Sequence, residues 1–82
     1  MKPGDLVKLN RVFYGPPVLP DGDMYDIELF REDGNSPLGF VRIHEEETGL
    51  ILQVGIKGDM DLIQILLHGQ VGWTDSHFWR IA

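Results

Sequence analysis

A chain of 82 residues without a single cysteine has room for one domain, 1–82, and none for disulfides or thiolate metal sites. Thirteen acidic residues against seven basic ones give a formal charge of −6, a surface that the phosphate backbone of nucleic acid repels. No stretch nears the roughly 20 apolar residues of a membrane span, and Met1-Lys2-Pro3-Gly4-Asp5 lacks the apolar run of a signal peptide, so a soluble cytoplasmic protein with no membrane partner is expected.

The chain opens on turn chemistry, since Pro3 presets one dihedral and Gly4 takes conformations that other residues resist. A short strand follows from Leu6, its partial alternation placing Val7 and Leu9 on opposite faces, one of them inward. Val12-Phe13-Tyr14 then runs into Gly15–Asp23, where three prolines and two glycines in nine residues exclude both a helix and a central strand. This is a long Pro/Gly loop, 15–23, and loops of that length are common sites of binding.

From Met24 to Arg31 the residues Tyr25, Ile27 and Leu29 alternate with Asp26, Glu28 and Phe30, the pattern of a half-buried strand. Glu32-Asp33-Gly34-Asn35-Ser36-Pro37 is a turn cluster, and Leu38–His44 resumes the alternation with Val41 and Ile43, which together predict a β-hairpin. Beyond Glu45-Glu46-Glu47, the run Leu50–Lys57 predicts a strand with Leu50, Leu52, Val54 and Ile56 as its core face and a bulge or bend at Gly55. Gly58-Asp59-Met60-Asp61 turns the chain into Leu62–Leu67, apolar on both faces and so the expected central strand, and His68-Gly69-Gln70 makes the next tight turn. No window sustains the apolar spacing of a helix, and ten glycines and five prolines punctuate the whole. The expected class is all-β.

Catalytic and metal chemistry find no footing in the sequence. His44-Glu45-Glu46-Glu47 sets one imidazole beside three carboxylates without the spacing of a zinc motif, and reads as a solvated charge run. Asp21-Gly22-Asp23 misplaces the glycine of a calcium loop and is followed by no bidentate glutamate at the required place. Asp75-Ser76-His77 holds the side chains of a hydrolytic triad, but three consecutive residues of a turn diverge, and Asp75 or Ser76 serves better as a cap. No catalytic residue, cofactor or metal ligand is therefore expected. The aromatics either fill the core or line a groove. Of Trp73 and Trp79, one is expected at the surface with Phe13 or Tyr14 nearby.

The ending Gly72-Trp73-Thr74-Asp75-Ser76-His77-Phe78-Trp79 resembles that of SH3 and bacterial SH3-like domains, which close with a Gly-Trp strand, a single 3₁₀ turn and a short last strand. Leu62–Val71 resembles their distal hairpin, and Pro3-Gly4-Asp5 is similar to the opening of small SH3-like proteins common in bacteriophage genomes. The resemblance implies a small SH3-like barrel of five to seven antiparallel strands with a 3₁₀ turn near Asp75–His77. Asp75 stands where the peptide-binding members carry Pro and Phe78 where they carry Tyr, and Leu50–Val54 lacks their tandem Trp, which argues against a proline-rich ligand.

The expected function is a non-enzymatic protein-interaction or structural module, phage-encoded by resemblance, in the cytoplasm of a bacterial host or associated with a virion. Its partner-binding residues are Phe13, Tyr14, Trp73 and Trp79. The partner is another protein or, if Leu66 or Leu67 is exposed, a second copy in a homo-oligomer. The alternative is a nucleic-acid-associated regulator, disfavoured by charge, which requires Lys8, Arg11, Arg42 and Arg80 to gather on one face.

Overall fold

The structure is a computed structural model that describes residues 1–10 and 24–82. The 15–23 loop, and with it Phe13 and Tyr14, lies outside the described residues. Seven strands follow in chain order: β1 (Leu6–Leu9), β2 (Met24–Phe30), β3 (Pro37–His44), β4 (Gly49–Lys57), β5 (Met60–Leu67), β6 (Gln70–Asp75) and β7 (Trp79–Ile81). A 3₁₀ turn, Ser76–Phe78, separates the last two, and no α-helix occurs among the described residues. The fold is all-β, as the punctuation by glycine and proline requires.

All pairings are antiparallel, in one curled half-barrel ordered β3-β2-β6-β5-β4-β1-β7. This arrangement is compatible with an SH3-like barrel. Two-residue turns make the meander from β4 to β6. At the second of them both His68 and Gly69 have positive φ, 48° and 74°, the conformation that fits the right-handed twist of flanking strands. The β2–β3 hairpin joins the meander at a narrow contact, Phe30 opposite Trp73.

The core is built from inward positions of every strand except β6: Val7, Leu9, Tyr25, Ile27, Leu29, Val41, Ile43, Ile51, Ile63, Ile65, Leu67 and Trp79. Each such side chain contributes about 1.5–3 kcal/mol when fully removed from water. Val7 and Leu9 both point inward, which overturns their expected placement on opposite faces, because residues two apart in a strand share a face. Leu67 is buried and Leu66 half-buried, so neither is the exposed leucine that would favour self-association.

β4 departs from expectation in a way that shapes the rest of the molecule. Ile51 pairs with Ile65 but Gln53 pairs with Gln64, so Leu52 is an extra residue, a bulge three positions before the expected one at Gly55. The bulge reverses the alternation. Ile51 enters the core, while Leu50 and Leu52, expected there, are half-buried. Past the bulge Val54 lies opposite Ile63 and Ile56 opposite Asp61, on the inner side of the sheet but beyond the end of the core.

Candidate functional site

Both tryptophans are buried, on opposite sides of the sheet. Trp79 belongs to the core at 3% exposure, opposite Leu9, and its indole Nε1 donates to the buried Thr74 Oγ1 at 3.3 Å. Trp73, the neighbour of Thr74 on β6, faces the other way and is only 9% exposed. The expectation of one exposed tryptophan therefore fails. Its outer face is not bare, because β2 brings Phe30 alongside and the β2–β3 loop folds over the adjoining Leu62 and Met60, with Gly34 packed close on both.

That loop is held by one carboxylate. Asp33 accepts hydrogen bonds from the Asn35 and Ser36 backbone N–H groups, each at 2.8 Å, and from the Ser36 hydroxyl at 2.5 Å. Three donors on one anion, the Ser36 hydroxyl foremost, pull the Asp33 pKa down to about 2. The sequence announced a turn here but not that it packs on Leu62 and Met60.

The groups singled out for chemistry serve as clasps. Asp75 caps the 3₁₀ turn, accepting from the His77 backbone N–H at 2.9 Å and contacting its Nδ1 at 2.8 Å. Glu47 accepts from the His44 N–H at 2.9 Å and pairs with His68 Nε2, tying the β3–β4 turn to the β5–β6 turn. The His44 N–H, with His68 behind it, holds the Glu47 carboxyl below the usual carboxylate range. Among the described residues no group of three or more His, Cys, Asp or Glu is placed to hold a metal. No helix among them is long and apolar enough to cross a membrane.

The basic residues invoked for nucleic acid are dispersed or engaged. Lys8 binds Glu46 at 3.0 Å, and Arg42 grips Asp26 through Nε at 2.8 Å and Nη2 at 3.1 Å. Lys8 and Arg80 are cross-strand neighbours, but Arg42 sits on β3, at the opposite end of the strand order. Arg11 lies outside the described residues.

The feature that the sequence did not reveal is an open groove at the tip of the β4–β5 hairpin. Val54 and Ile56 line its floor, with Met1, Leu62, Ser76 and Asp61 around it. Val54 is 48% and Ile56 76% exposed. The bulge at Leu52 creates this site by carrying both side chains to the inner side past the last core residue. No basic side chain pairs with Asp61 among the described residues, so the groove couples an apolar floor to an available carboxylate. Behind the floor, Gly55 leaves space that the Trp73 ring fills, 3.5 Å from where a Cβ would stand. Trp73 thus supports the groove from the far side of the sheet. Compared with known proteins, the chain matches no family model, no curated protein and no solved structure.

Proposed function

We propose that the chain is a non-enzymatic protein-interaction module that grips its partner in the Val54–Ile56 groove. The observation that carries this reading is Ile56, an isoleucine 76% exposed beside Val54 on one strand face, continuous with Met1. Single exposed apolar residues are ordinary, but a contiguous set with a polar rim is the anatomy of a contact site. The occupant is a segment of another protein that offers an apolar side chain to the floor and a Lys or Arg to Asp61. The overall charge of −6 favours such a basic partner and speeds its approach. The resemblance to small bacterial and phage SH3-like proteins supports the same reading, in a host cytoplasm or a virion. Trp79 leaves the contact surface because it is core, and Trp73 acts through Gly55 as a backing.

A displayed library of random peptides tests the reading. Enrichment of sequences that join an apolar residue to Lys or Arg, abolished by Ile56→Glu and retained by Phe40→Thr, is the expected outcome. Enrichment indifferent to Ile56→Glu, or no enrichment, overturns it.

A further inference from the structure

A second surface stands apart from the groove. β3 is an end strand of the sheet, with β2 on one side and no described strand on the other. It is eight residues long, against three for β7 at the opposite end. An exposed strand edge offers unpaired backbone donors and acceptors, and proteins blunt such edges by keeping them short, charged or bulged. β7 is blunted by its length. β3 has its bulge at Leu38, since Leu29 pairs with Gly39 and Phe30 with Pro37. From Gly39 to Ile43 it runs in regular register, and its outward side chains there are Phe40, 63% exposed, and Arg42.

We infer that two copies of this chain pair antiparallel through β3, about a two-fold axis at Val41, to make one continuous sheet across both half-barrels.

Charge selects this occupant. β3 carries no acid of its own: Pro37-Leu38-Gly39-Phe40-Val41-Arg42-Ile43-His44. The axis at Val41 sets Phe40 of each copy opposite Arg42 of the other. A guanidinium over a phenyl face is attracted by the ring's negative π-face. Each Arg42 stays bound to its own Asp26, so no acid is left facing an acid across the seam. The nearest carboxylates left out of that pairing are those of Glu28, opposite Phe40 on β2. They are separated by three strand spacings, roughly 14 Å, beyond the Debye length of about 8 Å at physiological salt. The inward residues Val41 and Ile43 continue the apolar layer toward the seam.

Salt gives the pairing a signature. The seam is held by backbone hydrogen bonds and an aromatic contact, while two chains of charge −6 repel as wholes. Raising ionic strength therefore tightens the dimer, the reverse of an interface held by ion pairs.

Light scattering and sedimentation from micromolar to near-millimolar protein, at low and physiological salt, test the proposal. The expected result is a monomer–dimer equilibrium that shifts toward dimer with salt. Phe40→Lys opposes the other copy's Arg42 and gives a monomer, its fold supported by Glu28 alongside and checked by circular dichroism. Phe40→Thr keeps a strand former and weakens association by roughly tenfold or more, the loss of one aromatic contact on each side of the axis. Ile56→Lys leaves the dimer intact. A wild type that stays monomeric throughout overturns the proposal, as does a dimer indifferent to both Phe40 variants. A dimer lost in Ile56→Lys and kept in the Phe40 variants places self-association in the groove and likewise overturns it.

Discussion

Gly72 is held so close beneath Leu29 that a Cβ at position 72 would stand 2.6 Å from the Leu29 Cβ and 3.1 Å from its Cδ1. This contact is where the β2–β3 hairpin lies down on β6, one residue away from the Phe30–Trp73 pair that joins the two strands. A side chain at 72 meets a Cβ, which cannot swing aside as the end of a long side chain can. The hairpin position, the cover over Trp73 and the burial of Leu29 all depend on the absence of one methyl group.

Gly72→Ala is therefore expected to destabilise the fold by about 1–3 kcal/mol, the range for overpacked cores. Urea denaturation followed by tryptophan fluorescence measures it, and an unchanged midpoint contradicts the close approach. Gly49 makes a matching case on β4, with a Cβ placed 2.5 Å from Ile65 Cδ1 and 2.9 Å from Leu67 Cδ2. There the neighbours are side-chain ends, so Gly49→Ala is expected to cost less than Gly72→Ala.

Thr74 and Trp79 form a buried polar pair whose two halves can be separated by substitution. Thr74→Val is nearly isosteric but removes the acceptor from the indole N–H. Leaving a buried donor unsatisfied costs about 1–3 kcal/mol. Thr74→Ser keeps the hydroxyl and is expected to retain the greater part of the stability. Equal unfolding midpoints for the Val variant and the wild type would show that the bond at 3.3 Å carries no energy.

Asp33 predicts a pH dependence with a definite sign. Its carboxyl titrates at about 2 when folded, against about 3.9 in an unfolded chain. A depressed carboxyl stabilises the fold above the unfolded value, and that contribution fades as pH falls from about 4 through about 2. Asp33→Asn removes it at every pH. The variant's denaturation midpoint is expected to lie below wild type at neutral pH and to draw level near pH 2. A gap that stays constant into acid contradicts the role given to Asp33.

Exposure on β4 separates groove from core by a simple contrast. Ile56→Lys is expected to change stability by no more than about 0.5 kcal/mol, as for other surface sites. Ile65→Ala, fully buried on the neighbouring strand, is expected to cost about 2–5 kcal/mol. Comparable losses for both would return Ile56 to the core and remove the groove.

Much of the fold was legible because one face of most strands is buried and the other is wet. Tyr25, Ile27 and Leu29 alternate as written, and the burial follows them without exception. The 3₁₀ turn was legible through the resemblance of the closing Gly72–Trp79 stretch, and of its two candidate caps, Asp75 and Ser76, it is Asp75 that caps the backbone two residues on. β4 was not, because a bulge adds one residue to the count without a compositional mark, so that Leu50 and Leu52 yield the core side to Ile51 while Val54 and Ile56 keep the inner side. Trp73 was misjudged for a different reason. Alternation says which side of a sheet a residue faces, but not whether a distant hairpin covers that side. The groove was hidden because Val54 and Ile56 look like core until the end of the core is located.

The most direct test of the account is an NMR titration of the isotope-labelled chain with a peptide enriched in the display selection. Shifts concentrated at Val54, Ile56, Asp61 and Met1, with smaller ones at Trp73 behind Gly55, are the predicted result. Shifts centred on the β2–β3 hairpin or on the Lys8–Arg80 side of the sheet, with Val54 and Ile56 undisturbed, would contradict it.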